Sequence, residues 1–381
     1  MLEKKHHEYR ERIRAFALEK IEPQAVTLDL EQRFPTEYLK PLADEGLMSM
    51  IIPEEYGGKP VDTISYSIAV EELSRVCGST GITIAAHNSL GAYPIHRFGS
   101  EAQKKRYLPR ACEGELLAFG LTEPDSGSDA GSTRTMALPD GDNWVINGTK
   151  CFITSATHAL ATISTAKTSE DPKDPTITCF ILEKGTPGYA VGKKENKLGL
   201  RGSDTATLHF DDLKVTSDAL LGKVGEGFKQ MLITLDGGRI SIGAMALGLA
   251  QGAFDCAVKY AAERVQFGRP ISYNQAIQHT LADMATEIEA ARLMIYEASA
   301  LKDSGQPFSQ MSAMCKLYAS EVGTRVAFKA IGILGGVGCN TGPYPAERIW
   351  RDVKLCEIGE GTSEIQRLVI ARELMKAVKN K

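Results

Sequence analysis

The chain has 381 residues, of which 43% are apolar and 24% charged, with a formal net charge of −4. That length exceeds one compact core and predicts two or three domains of ordinary globular composition. The spread-out, near-neutral charge excludes the footprint of a nucleic-acid or membrane-surface binder, and no apolar run reaches the ~20 residues of a membrane span.

The eight cysteines lie far apart without a CxxC pair, and the seven histidines show no HxxxH or HExxH spacing. Reduced thiols and the absence of a metal site are expected. The start, Met1-Leu2-Glu3-Lys4-Lys5, is charged and carries no apolar signal core, so a cytoplasmic location is expected.

Residues 1–116 read as an α-helical domain. Tyr9, Ile13, Phe16 and Ala17 recur at helical spacing, and Pro35 marks a helix start. After a connection at Ile51–Gly58, helical patterns return around Ile64, Ile68 and Leu73, from Ile82 to Phe98, and from Ala102 to Ala111. Within them His87-Asn88-Ser89-Leu90 is polar amid apolar neighbours; a satisfied core site and a pocket lining are both open readings.

Residues 117–225 change character. Short β-branched segments at Leu116–Leu121, Trp144–Gly148, Cys151–Thr154, Ala161–Thr165, Thr176–Leu182 and Ala206–Phe210 alternate with Gly, Pro, Asp and Asn turns. They predict an antiparallel β-barrel or sandwich-like domain, with a loop at Asp171–Pro175.

Residues 226–381 are helical again. Gly243, Gly248 and Gly252 would let one helix approach others closely. Ile277, Leu281, Met284, Ile288, Ala291, Ile295 and Ala298 form one stripe, and Met311, Met314, Tyr318, Val322, Val326, Ala330 and Ile333 another. A final helix starts at Ser363, which has capping-box spacing to Gln366, and continues through Ile365, Leu368, Val369, Arg372 and Met375. Four long helices predict a four-helix bundle. The fold class is thus mainly α with a central β domain.

Glu360, between Gly359 and Gly361 just ahead of the last helix, is the candidate carboxylate, since glycine flanks permit φ > 0 and close approach of a small molecule. The glycines at 222–227 and 332–338 do not follow a strand in a βαβ unit, which disfavours a dinucleotide fold. Gly335-Gly336 reads as a helix C-cap, and Phe119–Ser128 reads as a tight polar turn or a site for a heterocycle edge or phosphate. Glu263–Pro270, with two arginines and an exposed Phe, reads as a solvated loop or a phosphate and ring contact.

Taken together, seven stretches resemble the acyl-CoA dehydrogenase family. They are FGLTEPDSGSD at 119–129, NGTKCFIT at 147–154, KLGLRGS at 197–203, LDGGR at 235–239, ERVQFGRP at 263–270, LGG at 334–336 and EGTSEIQ at 360–366. The resemblance implies FAD held between the β domain, the bundle and a neighbouring subunit of a homotetramer, a dimer of dimers. It assigns Phe119, Leu121 and Thr122 to the flavin ring, and Phe152 and Thr154 to the edge of the ring at N5. Arg264, Gln266, Phe267 and Gln275 fall to the diphosphate and adenosine part across a subunit interface, and Gly335, Gly336, Thr362 and Glu364 to further cofactor contacts. On the substrate side it assigns Ser128 to CoA, Asp236, Arg239 and Arg372 to positions near the CoA chain, and Gly361 to close approach. Glu360 is assigned as catalytic base.

The implied reaction desaturates a short-chain acyl-CoA to the 2,3-enoyl-CoA, with an electron-transferring flavoprotein as acceptor. Removing an α proton needs donors on the thioester oxygen, each worth roughly 3–4 kcal/mol; in the family these are the amide of the base and a flavin ribityl hydroxyl. Binding is expected to desolvate Glu360 and raise its pKa toward neutrality. Gly359 replaces a frequent Tyr and should widen the pocket, so a branched or alicyclic acyl-CoA is an alternative, as is a non-catalytic binding member. Gly238 occupies the position that carries the base in isovaleryl-type members, and Gly81 the position of a glutaryl-type arginine. Gly332 replaces a frequent Gln, and Ser155 a frequent Asn.

Overall fold

A computed structural model of the chain describes residues 2–171, 174 and 176–379. The loop expected at 171–175 lies partly outside the described residues. The N-terminal region contains α1 (Lys4–Phe16), α2 (Ala25–Glu31), α3 (Leu39–Asp44), α4 (Thr63–Val76), α5 (Gly78–Ala86), α6 (Tyr93–Phe98) and α7 (Glu101–Cys112). Asp62 caps α4 by accepting from the Ser65 amide at 2.7 Å. Ser100 and Gln103 form a reciprocal capping box on α7. The helix expected from 82 to 98 is interrupted by a π-helical turn, His87–Ala92, a distortion often found where a helix serves a site.

The middle region is one sheet of β1 (Leu117–Gly120), β2 (Met136–Asp140), β3 (Asn143–Thr154), β4 (Ala161–Lys167), β5 (Ile177–Glu183), β6 (Tyr189–Lys194), β7 (Thr205–Thr216) and β8 (Leu220–Leu221). Its order is β6-β7-β3-β2-β4-β5-β8, with β1 on β4. Most pairings are antiparallel as expected, but β1 runs parallel to β4 in the register Phe119↔Ile163, and Met136 of β2 pairs in parallel with Lys167. The two short segments read at 144–148 and 151–154 are one long strand, whose register against β7 shifts between Lys150 and Ile153.

The C-terminal region holds α8 (Gly227–Glu263), a hairpin of β9 (Val265–Gln266) and β10 (Arg269–Pro270), α9 (Gln275–Asp303), α10 (Ser309–Leu334), α11 (Ala346–Val353) and α12 (Ser363–Lys379). The stripe predicted for α9 is buried at Met284, Ile288, Ala291, Ile295 and Ala298. Buried residues of α1, α4, α8, α9, α10 and α11 form one continuous core. The close approach expected of α8 falls on α4: a Cβ on Gly248 would lie 2.1 Å from the Glu71 carbonyl oxygen, and one on Gly252 2.3 Å from that of Arg75. Gly243 differs, since a Cβ there would find only ordinary contacts at 3.5 Å.

By length and hydropathy α8 and the span Ser309–Cys339 pass as membrane-crossing candidates, but Asp236, Arg239 and Asp255 interrupt the first and Lys316, Glu321 and Arg325 the second, so no uncharged run reaches ~20 residues. The most apolar window of α8 is 78% buried inside the chain, which marks a core helix. The α12 stripe is only partly used: Val369 is buried, while Leu368 and Met375 stay exposed.

Candidate active site

The chain brings the carboxylate of Glu360 against the N-terminal third of α8. Glu360 itself adopts φ +54° and Gly361 φ +93°. The left-handed turn therefore falls on the glutamate and the glycine after it, and not on Gly359 as the two-glycine reading implied. The φ at Gly361 favours glycine, and a Cβ there would also lie 2.8 Å from Gln366 Nε2. A Cβ on Gly359 would meet nothing closer than 3.5 Å; the backbone leaves room at that position.

The turn is held from inside. Gln366 Nε2 donates to the carbonyls of Glu360 at 3.2 Å and Gly361 at 2.8 Å, and Lys316 Nζ donates to the Gly361 carbonyl at 2.7 Å. These bonds displace the expected capping box by one residue. Thr362 Oγ1 caps α12 by accepting from the Ile365 amide, Ser363 Oγ has no partner, and Gln366 serves the Glu360 turn. Among the described residues no protein acceptor takes the Glu360 N–H.

Glu360 Oε2 is buried without a hydrogen-bond partner. Burial pushes the carboxyl up to about 7, against the pull of Lys316 and Arg239. A Cβ on Gly238 would lie 2.0 Å from this Oε2 and 3.1 Å from Leu90 Cδ2. Glu360, Gly238 and Leu90 thus converge on one spot. At Gly81 a Cβ would lie 2.0 Å from Ser74 Oγ, so a side chain there would run into α4.

His87 and Asn88 take the satisfied-core reading. His87 is a satisfied core residue: Nδ1 accepts from the Leu117 amide and Nε2 donates to the Met48 carbonyl. Burial pulls its pKa down to about 4, so it is neutral. Asn88 bonds the backbone at Leu47, Met50 and Ile84. Leu90, one helical turn on from His87, faces the Gly238 position beside Glu360.

Asp236 and Arg239 form an ion pair one turn along α8, and Ser309 donates to the second Asp236 oxygen. Arg239 is buried with its Nε unpartnered. Arg372 is exposed on α12, yet close enough to help depress the Arg239 guanidinium, whose burial dominates that shift.

The two segments assigned to a flavin ring meet as well. The Cys151 amide donates to the Thr122 carbonyl at 2.8 Å, tying the end of β1 to β3. Phe152 sits at the register shift with φ +58° and its ring 66% exposed. Beneath them Lys150, with no exposed side-chain surface, pairs with Glu123 at 2.6 Å and donates to the Leu121 carbonyl at 3.3 Å. Burial pushes the Glu123 carboxyl up, but the Lys150 ammonium and donors from Thr133 and Arg134 outweigh it and hold it at about 2. Ser155 stands at φ +64°, a conformation that Asn tolerates better. Thr154 is half-buried and Ser128 exposed.

Arg264, Gln266 and Phe267 form an outward hairpin whose turn has φ +50° at Phe267 and +80° at Gly268, the geometry of a two-residue hairpin loop. Phe267 is wholly exposed, and Gln275 at the start of α9 is exposed. Gly335, at φ +63°, ends α10 as the C-cap reading expects; it, Gly336 and Gly332 have open space where a Cβ would project. Thr362 is half-buried and Glu364 exposed. An outward ring at a strained bulge, open glycines and an unsatisfied carboxylate fit an extended cofactor that carries a flat ring. Lys316, Gln366 and the Glu123–Lys150 pair went unassigned from sequence. Lys316 had a signal, as a charge among Ala313, Cys315 and Ala319 on the buried face of α10.

The chain matches three family models: "Acyl-CoA dehydrogenase, N-terminal domain" over residues 3–115, the middle domain over 118–213 and the C-terminal domain over 225–375. It is 47% identical to the mitochondrial short-chain specific acyl-CoA dehydrogenase of Mus musculus, over 98% of this chain and 91% of that protein. It superposes with TM-score 0.95 and 41% identity on butyryl-CoA dehydrogenase from Megasphaera elsdenii, covering 98% and 99% of the two chains. A chain solved in work on the electron transferring flavoprotein of Acidaminococcus fermentans and flavin-based electron bifurcation gives TM-score 0.96 at 44% identity, with 98% of each covered.

Proposed function

The chain belongs to the acyl-CoA dehydrogenase family, and on that premise we propose that it desaturates short-chain acyl-CoA thioesters with Glu360 as the α-proton base. The observation that carries this is the unpartnered, buried Glu360 Oε2 facing Gly238. A carboxylate near pKa 7 is matched to proton transfer at neutral pH. The free Glu360 N–H is the chain's own donor for the thioester oxygen, where charge grows as the proton leaves.

The enzyme is an FAD oxidoreductase, and FAD, when bound, supplies the acceptor for the β hydride. Phe119, Leu121, Thr122, Phe152 and Thr154 would line its ring, held in register by the Cys151–Thr122 bond and the buried Lys150. Thr362, Glu364, Gly335 and Gly336 would line its further parts. Asp236, Arg239 and Arg372, with Ser128, would flank the CoA chain.

Leu90 crowding the carboxylate supports a short acyl group, as do the relatives named for short-chain and butyryl substrates. The outward hairpin with Phe267, together with exposed Leu368 and Met375 on α12, supports a homotetramer in which the hairpin reaches a neighbour's cofactor. An electron-transferring flavoprotein is the proposed acceptor, on the likeness to the Acidaminococcus chain. Eight free thiols support a reducing, cytoplasmic setting. We keep 1–116, 117–225 and 226–381 as the proposed domain partition.

The test is a kinetic scan over straight, branched and alicyclic acyl-CoAs with an artificial electron acceptor, repeated for Glu360→Gln. Turnover should be highest near butyryl-CoA and vanish in the variant. A tenfold preference for a branched or cyclic acyl group would overturn the chain-length reading. Unchanged turnover in Glu360→Gln would overturn the base.

A further inference from the structure

Lys316 lies on α10 with no exposed surface, a rare situation for a lysine. Its Nζ donates to the Gly361 carbonyl at 2.7 Å, and Gln366 reaches the same oxygen and that of Glu360 from α12. Two successive carbonyls at the base are therefore drawn inward from two helices. That arrangement fixes the left-handed Glu360 and leaves its N–H unused by the protein. A neutral donor would satisfy the Gly361 carbonyl at far lower desolvation cost than a buried ammonium, so the charge itself needs an explanation.

The groups facing the site supply it. Toward the Glu360 carboxyl come Lys316 from α10, Arg239 from α8, the Tyr66 hydroxyl from α4 and the Cys356 thiol from the turn before α12. Arg239 is already engaged by Asp236 and also faces Arg372 of α12. Glu357, which pairs with Lys354 and accepts from Thr324, faces Lys316 as well, and the exposed Glu364 feels it from α12. Lys316 has no carboxylate hydrogen-bonded to it among the described residues; its one hydrogen bond goes to a carbonyl.

We propose that Lys316 is a positioning residue for proton abstraction: it pins the backbone that presents Glu360, and its charge keeps that glutamate ionised in a buried site. The proposal rests on the reading of Glu360 as the base. Burial already lifts the Glu360 pKa to about 7 with both cations present, and the same burial pulls Lys316 down to about 8. Removing the Lys316 charge should raise the Glu360 pKa further.

The experiment is kcat/KM against pH from about 5.5 to 9 for the FAD-loaded enzyme with butyryl-CoA. It compares wild type, Lys316→Gln, Lys316→Met, Lys316→Arg and Glu360→Gln, with thermal unfolding in parallel. Lys316→Gln keeps a donor without the charge; its acid limb should move up by about one pH unit, roughly a tenfold loss at pH 6 that alkali restores. Lys316→Met should show the same shift plus a rate loss that alkali does not restore. Lys316→Arg should keep the wild-type limb. A limb that stays in place in Lys316→Gln overturns the proposal, even if that variant is less stable, and this variant decides should Lys316→Met fail to fold. An acid limb that survives Glu360→Gln overturns the base reading instead, and the proposal with it.

Discussion

Glu360→Gln should make the protein more stable at alkaline pH while it abolishes turnover. The ordinary glutamate value of 4.5 describes the unfolded chain, and the folded carboxyl lies near 7 because it is buried with Oε2 unpartnered. The folded state thus binds this proton more tightly than the unfolded state. Its stabilising contribution is complete below about pH 4.5 and is lost as pH rises to 7. The difference of about 2.5 units at about 1.36 kcal/mol each gives a deficit of about 3 kcal/mol at pH 8, which a neutral glutamine does not suffer. At about 2 °C per kcal/mol for a chain of this size, the variant's melting temperature should exceed wild type by about 6 °C at pH 8. At pH 5 the two should nearly coincide. The assay is thermal unfolding of the FAD-loaded proteins at four pH values from 5 to 8. A melting difference that is flat across this range would refute the reasoning, because it would mean that the carboxylate is solvated or paired.

Gly238→Ala should leave flavin content intact but cut kcat by about 100-fold, since the new Cβ would sit 2.0 Å from Glu360 Oε2 and the flexible carboxylate would swing away; steady-state kinetics with butyryl-CoA checks it. Phe267→Ala removes a ring that touches nothing in its own chain, so a loss of about 2 kcal/mol in cofactor retention, with normal secondary structure, is expected if the ring packs across an interface. Equal flavin-to-protein ratios after gel filtration would count against that packing. Lys150→Met strands the Glu123 carboxylate among buried groups and should cost about 3–5 kcal/mol. Adding Glu123→Gln should recover part of that loss in a denaturant titration.

The helical stretches and the longer strands were legible because burial imposes periodicity: α9 buries the stripe that its sequence shows. The strands that escaped lack that signature. Met136–Asp140 contains a proline and two exposed terminal positions, Tyr189–Lys194 is a half-exposed edge with a glycine and two lysines, and Leu220–Leu221 is too short to show a period. The shared core of α4 and α8 was unreadable for another reason. Gly248 and Gly252 announce a close approach, but nothing local says that the partner is α4 instead of a bundle neighbour.

The site divides along the same line. Glu360 stood out through its flanks, whereas the residues assigned to the flavin and to CoA came from a family resemblance and not from pattern. What sequence could not give was the turn's real cause. Two flanking glycines suggested that they would carry the positive φ, yet Glu360 itself is left-handed, at φ +54°. A non-glycine residue held there costs of order 1–3 kcal/mol and persists only when its surroundings over-determine it. Those surroundings are Gln366 and Lys316, 6 and 44 residues away by number and both beneath the turn. Gln366 looked like half of a capping box because its true acceptors, the Glu360 and Gly361 carbonyls, lie just outside the helix it appeared to start. Lys316 looked like an isolated charge on an apolar face because its acceptor belongs to another helix's entry loop. Glu360 is therefore held fixed where its flanks read as permissive, and that fixing is what lets one carboxylate oxygen remain unpaired against Gly238.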